Sequence, residues 1–279
     1  MARAIKALTF AYMIFLALRI AEASASGIVS TILYCAAHFV PLIIGLGYSS
    51  ELKKEREEIT GLAEGYNDFL LLKKNQAVDL IAVAVPSVAV VFFLALVTSF
   101  LLNALGFSNT QTIDMKLWQM LLVHAVLPAL CEELIFRYLP MKLLLPYSPR
   151  YCVIVSSLCF ALMHLNFFQM PYAFAAGVIF MSLNVALKSI WPSVILHFLN
   201  NLLSILCMKY CLTAESIAIF AVILLAVALI SLIFVLRRFK IYKSYAEIAF
   251  DKGQRLIIDN TFGFFVILSL GIAFVNLLK

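Results

Sequence analysis

The sequence predicts an all-α, polytopic transmembrane helical bundle with about eight or nine membrane-spanning helices. Three observations predict it. The chain of 279 residues is 64% hydrophobic and only 13% charged, and its mean hydropathy is +1.03. Its apolar residues come in continuous runs of roughly 20, the length a helix needs to cross a bilayer core of ~30 Å. Only helices and closed barrels satisfy the backbone in lipid, and the runs lack the two-residue alternation of barrel strands. Third, the lysines and arginines cluster between the runs. Together these exclude a soluble enzyme or a nucleic-acid-binding module, and the formal charge of +6 reflects lysine placement against the membrane. The whole of 1–279 reads as a single integral membrane domain.

In order, 5–22 form a first apolar segment, interrupted by Arg19 and Glu22. Its basic start and the small residues at 23–26 resemble a signal peptide, but charges beside those small residues favour a retained anchor. Residues 28–48 make a second span, in which His38 is read as structural. Residues 50–78 are the one long polar segment. The part from Glu51 to Glu64 is expected to be a solvated surface helix, by its Glu and Lys content. A third span covers about 79–105. The fourth, 116–145, is expected to bend at Pro128 and to stop near Pro140 or Pro146. Spans follow at 150–167, 170–187, 191–209, 213–236 and 261–278, with a basic loop at about 237–260. The six cysteines show no metal-type spacing and read as small buried hydrophobes.

The positive-inside rule tests this layout. With the N-terminus in the cytoplasm, 16 of the 21 lysines and arginines fall inside, among them Lys53, Lys142, Arg150, Lys188 and Arg237. Lys116, Lys209 and Lys279 fall outside, while Arg19 and Arg137 lie within spans. The expected location is therefore a bacterial-type plasma membrane, multi-pass, with the N-terminus cytoplasmic.

The fourth span carries two adjacent acids, Glu132 and Glu133, and Arg137. A charge at membrane depth costs a few kcal/mol on insertion scales, so each is a functional candidate. Glu133 and Arg137, at i and i+4, share a helix face and pair. Glu132 points about 140° away and is free to serve a site elsewhere. Two of the four histidines sit within spans beside helical partners, as Phe160-x-x-x-His164 and His197-x-x-x-Asn201. Counted at about 1.5 Å per residue from the nearest basic flank, Glu132, His164, His197 and Asn201 fall in one slab about 13–21 Å deep. Interhelical hydrogen-bond glue accounts poorly for such agreement among three helices. His124 reads as a packing residue, with the lining of an access path as its alternative. Asn166, Asn184 and Asn200 are candidate wall residues.

A carboxylate and two imidazoles can hold a metal, commonly zinc, through Glu132, His164 and His197. Without metal, Glu132 aided by His164 deprotonates a water, and His197 with Asn201 donates to an oxyanion. The one-helix zinc-protease motif His-Glu-x-x-His is absent. No Ser or Cys stands in an obvious nucleophile motif, which leaves water as the nucleophile.

Glu132-Glu133-x-x-x-Arg137, Phe160-x-x-x-His164 and His197-x-x-x-Asn201, in this order, resemble the three motifs of the CPBP family, the type II CAAX prenyl protease and bacteriocin-processing (Abi) group. The resemblance covers about 115–210. It implies an intramembrane endopeptidase with a conical cavity opening to the cytoplasm. Glu132 and His164 would activate water, His197 and Asn201 would form the oxyanion hole, and Glu133, Arg137 and Phe160 would support them. No cofactor is the favoured expectation, with zinc as the alternative. The implied substrate is a membrane-associated or lipidated peptide arriving from the membrane or the cytoplasmic side, and the bilayer is the other partner. Tyr138 departs from the pattern, since relatives carry Gly after the Arg. A catalytically silent regulator or bacteriocin self-immunity protein is the alternative on this scaffold. A proton-coupled transporter is a further alternative, disfavoured because the chain shows no inverted repeat.

Overall fold

The computed structural model describes residues 1–60, 74–107, 115–210, 213–237 and 260–278. The described residues are helical throughout their regular structure, with no strand among them. Nine helices result among these residues: α1 (Ala2–Ala23), α2 (Gly27–Thr60), α3 (Lys74–Ala104), α4 (Leu117–Leu143), α5 (Pro149–Leu162), α6 (Met170–Leu187), α7 (Trp191–Tyr210), α8 (Ala214–Arg237) and α9 (Asn260–Leu277). Seven stretches are long and apolar enough to cross a membrane. The apolar part of α8, Glu215–Val227, and α5 are shorter. The protein is an integral, multi-pass membrane protein. Much of the polar segment 50–78 and nearly all of the basic loop 237–260 lie outside the described residues, as does Cys211.

Several boundaries differ from the sequence reading, each for a local reason. The second span does not end at 48. It continues without a break to Thr60, because the Glu- and Lys-rich continuation is itself good helix sequence. Its Lys53 pairs with Glu57 one turn on, at 3.5 Å. Arg3 pairs with Glu55 at 2.6 Å, which places the start of α1 and the far end of α2 at one end of the bundle. The first segment packs into the bundle. Ile5, Leu8, Tyr12, Phe15 and Leu16 are buried in the largest core cluster, against Ile135 and Phe136 of α4, Phe160 of α5 and Phe265 of α9. A second cluster joins α3, α6 and α7 through Val91, Phe180 and Leu196. The cysteines are mixed rather than uniformly buried. Cys152 and Cys159 are buried, Cys35 is exposed, and no disulfide joins any of the five described cysteines.

The fourth helix carries Pro128 and Pro140 within its length and ends at Leu143, between the two expected stops near Pro140 and Pro146. It passes Pro128 and Pro140 by widening. Two π turns, Leu122–Val126 and Leu134–Tyr138, each end one residue or two before a proline. Leu127 N–H bonds Leu122 O and Leu139 N–H bonds Leu134 O, both five residues back. A proline ring clashes with the carbonyl four residues earlier and offers it no N–H. A wide turn moves that carbonyl aside, and π turns of this kind recur at functional sites.

Close crossing of α5 and α6 depends on Gly177. A Cβ there would lie 2.8 Å from Ser157 Cα, which is backbone and cannot swing away. The turn from α6 to α7 is fixed by Asn184. Its Nδ2 donates to Ser193 Oγ at 2.7 Å and its Oδ1 accepts from Ser193 N at 3.0 Å. Lys188 ends α6 in the left-handed region at φ 50°. Asn184 is therefore a buried joint that sets the start of α7, rather than a cavity wall residue.

Candidate active site

A cavity of about 750 Å³ lies between α1, α4, α6, α7 and the end of α5. Glu132, His164, His197 and Asn201 all line it, so the four candidates from three separate stretches do converge. Phe160, Asn166 and Asn200 are on its wall. Glu133 and Arg137 are not. They stand immediately behind the wall with no exposed side-chain surface.

The buried layer explains how the wall is held. Glu133 Oε2 lies 3.4 Å from Arg137 Nε, the i, i+4 pair expected from the helix face. Glu133 Oε1 accepts from His197 Nδ1 at 2.8 Å. That second contact was not visible in the sequence, which had paired His197 with Asn201 only through their shared face. Arg137 Nη1 in turn donates to the Phe136 carbonyl at 3.2 Å. This carbonyl is the one Pro140 leaves without its usual N–H partner, and Ser156 Oγ from α5 also donates to it. Tyr12 OH of α1 reaches the neighbouring Ile135 carbonyl at 3.4 Å. Proline, arginine, glutamate and histidine thus form one continuous chain of support.

Phe160 is the packing centre of the site. Its ring lies 4.3 Å from the Arg137 guanidinium carbon, and meets His164 and His197 edge-on at 4.8 and 5.6 Å between centroids. Desolvated cation–π contacts contribute about 2 kcal/mol.

His164 is not inside a helix, as had been expected. α5 stops at Leu162, and His164 sits in the turn that follows, before Leu165 at φ 50°. The Leu165 carbonyl accepts from Asn276 Nδ2 of α9 at 3.1 Å. α5 is short because it ends at the cavity wall rather than crossing to the far side. His164 Nδ1 bonds the Phe160 carbonyl at 2.8 Å. A carbonyl only accepts, so Nδ1 carries the proton and Nε2 is the open nitrogen. His197 Nδ1 likewise donates to an acceptor, the Glu133 carboxylate, which turns Nε2 of the ring towards the cavity. Its Nε2 lies 4.0 Å from Glu132 Oε2. Glu132 is the accessible acid, with its side chain 24% exposed.

Among the described residues, no three His, Cys, Asp or Glu side chains come together as ligands of one metal ion. The donor set Glu132, His164 and His197 does not form a metal cluster here.

Other sequence candidates are redistributed. His124, read as packing, lines the cavity two turns from Glu132. His38 is structural, as read. It is buried, bonds the Tyr34 carbonyl at 2.8 Å, and packs against the Phe15 and Tyr34 rings. Tyr138 packs against the main core, with the Lys142 ammonium 5.4 Å from its ring centroid, and stays out of the cavity. Arg19 and Phe15 of α1 were missed as site residues, although both are on the wall. A charge inside the first span was the available signal, and it had been read as a flaw in the span.

The lining positions also have a direction. They include His124 and Pro128 in the early half of α4, Met208 late in α7, and Arg19 late in α1. None lies near Lys142, Arg150 or Lys188, which mark the opposite ends of those helices and their neighbours. The lining thus lies towards the ends of α4 and α7 that are remote in the chain from Lys142 and Lys188.

Residues 114–203 match the family model described as Type II CAAX prenyl endopeptidase Rce1-like. The match takes in all three motifs, agrees with the CPBP resemblance, and leaves α1, α2, α3, α8 and α9 outside it. No curated protein and no solved structure matches the chain.

Proposed function

We propose that the protein is a CAAX-type intramembrane endopeptidase, hydrolysing a peptide bond in a membrane-associated or lipid-modified peptide. The observation that carries this reading is the division of labour between two neighbouring acids. Glu133 is fully buried and spent on Arg137 and His197, whereas Glu132 faces a cavity it shares with His164, His197 and Asn201. The family match over 114–203 supports the same chemistry.

In this mechanism Glu132 takes a proton from water as the water oxygen attacks the scissile carbonyl. His164, with Nε2 open, orients that water and shares the proton. In this reading the His197 ring donates from both nitrogens, Nδ1–H to Glu133 and Nε2–H to the oxyanion of the tetrahedral intermediate, where the Asn201 side-chain amide is the second donor. Collapse breaks the C–N bond, and the proton held by Glu132 passes to the leaving amine. Glu133 keeps the His197 ring turned towards the cavity, and Arg137 pairs with Glu133 and fixes it. No metal has a role in these steps. We further propose the N-in orientation, on the strength of the charge distribution, with the cavity mouth at the non-cytoplasmic face.

The test is cleavage of a quenched peptide library, lipidated and unlipidated, by the purified full chain in detergent. Wild type is compared with Glu132→Gln and His197→Ala, each with and without a chelator. Loss of about 10² or more in kcat for both variants, with wild-type turnover intact in chelator, supports the mechanism. Activity lost in chelator and restored by zinc overturns its metal-free form. Equal turnover in all variants overturns the site.

A further inference from the structure

One feature of the cavity is not used by this mechanism. Among the described residues lining it, Arg19 is the sole lysine or arginine, and it comes from α1, outside the matched stretch 114–203. Its guanidinium is held in place from two sides. Nη1 donates to Glu22 one turn on, and the guanidinium carbon lies 5.4 Å from the centroid of the Tyr34 ring of α2. Such stacking and pairing fix the plane of the group before any ligand arrives. Glu22 engages one nitrogen of a fork that has five N–H donors in all. The side chain remains 37% exposed while Glu22 is 19% exposed, so the guanidinium is the more accessible partner. Beyond Glu132 and the imidazoles, the other described residues lining the cavity are neutral or apolar, among them Phe15, Met163, Asn166, Gln169, Tyr172 and Met208. A pre-oriented guanidinium in such surroundings is suited to a planar, bidentate anion.

We infer that Arg19 is a substrate-binding residue, whose guanidinium takes a carboxylate of the peptide that Glu132 cuts. This rests on the proteolytic reading of the site and adds its specificity. The carboxylate has two possible sources, the free C-terminus of the peptide or an acidic side chain near the scissile bond.

The test separates binding from turnover. Fluorescent apolar peptides from the same library are made as free acids, as C-terminal amides, and as amides with one internal Glu. Their anisotropy is measured on the full chain carrying Glu132→Gln, alone and combined with Arg19→Gln or Arg19→Lys. A charge-assisted hydrogen-bond pair corresponds to roughly 10- to 100-fold in affinity. Free acids are expected to bind that much more tightly than amides, with the preference abolished by Arg19→Gln and partly kept by Arg19→Lys. Unchanged amide binding shows that the variants are folded. A preference shown only by the internal-Glu amides assigns the carboxylate to a side chain instead. Equal binding of all three sets overturns the inference, because an arginine that merely balances charge in the cavity gives no such preference. A preference that survives Arg19→Gln, or no binding by any member, also overturns it. Turnover by wild type is read separately. Acid preference without any cleavage defeats the protease reading alone, and cleavage without preference defeats the carboxylate subsite alone.

Discussion

Replacing each of the two adjacent glutamates by glutamine should have opposite consequences. Glu133 and Arg137 are both fully buried, with Oε2 and Nε 3.4 Å apart. At an effective dielectric of about 20, two unit charges at that separation attract by about 5 kcal/mol. Breaking a buried pair by removing one partner costs about 3–5 kcal/mol, because the other charge is left uncompensated. In Glu133→Gln the stranded charge is Arg137, which keeps only the Phe136 carbonyl and the Phe160 ring. The glutamine oxygen can still accept from His197 Nδ1, so the imidazole is weakened in its hold rather than released. The expected fall in Tm is on the order of 10 °C. Glu132→Gln removes a partly exposed charge whose nearest described ion-pair contact is His197 Nε2 at 4.0 Å. Its Tm should stay within a few degrees of wild type while turnover disappears. Scanning fluorimetry in detergent reads the first quantity and peptide cleavage the second. If Glu132→Gln is the less stable protein, or if Glu133→Gln melts with wild type, the assignment of one acid to support and the other to chemistry is wrong.

Three further outcomes follow from the geometry. Pro140→Ala supplies an N–H to the Phe136 carbonyl in competition with Arg137 and Ser156, so kcat should fall while stability holds, since alanine is the better helix former. Gly177→Ala forces a methyl to within 2.8 Å of the Ser157 backbone, and should destabilise by roughly 1–3 kcal/mol through separation of α5 and α6, seen as a lower unfolding midpoint. In a background lacking the six native cysteines, Lys116→Cys should react with an impermeant maleimide on intact cells, and Lys188→Cys only after permeabilisation. The reverse pattern would put the cavity mouth in the cytoplasm and reject the N-in orientation.

The helical bundle was legible because hydropathy and helix length are set by the same bilayer thickness. Apolar runs at 79–105, 170–187, 191–209 and 261–278 correspond within a few residues to α3, α6, α7 and α9, apart from an earlier start to α3. Where the reading failed, two local rules competed. Polarity after residue 48 suggested a new element, yet helix propensity ignores the membrane boundary and carried α2 on to Thr60. Of the two expected stops, near Pro140 or Pro146, the helix passes the first, because a π turn accommodates its ring, and ends at Leu143 before the second. Apolarity through 167 suggested that α5 crosses fully, whereas the chain turns after Leu162 to deliver His164 to the cavity.

The site was legible to the extent that helical periodicity could reach. The i, i+4 rule found the Glu133–Arg137 pair and the common face of His197 and Asn201, and depth counting brought Glu132, His164, His197 and Asn201 to one level. Periodicity along one helix says nothing of which neighbouring helix it meets. The Glu133–His197 bond spans 64 residues, and Arg19 is more than 100 residues from Glu132 in the chain, so neither has a local signature. What the structure adds is an order of dependence. Pro140 withholds an N–H, the Phe136 carbonyl is then open to Arg137, Arg137 fixes Glu133, and Glu133 turns His197 towards the cavity. Each contact is short-range, but the chain of them begins at a residue whose only sequence-level meaning was a helix end. A proline eight residues after the first glutamate of the motif therefore sets the geometry of an imidazole on another helix, and it does so through the bond it cannot make.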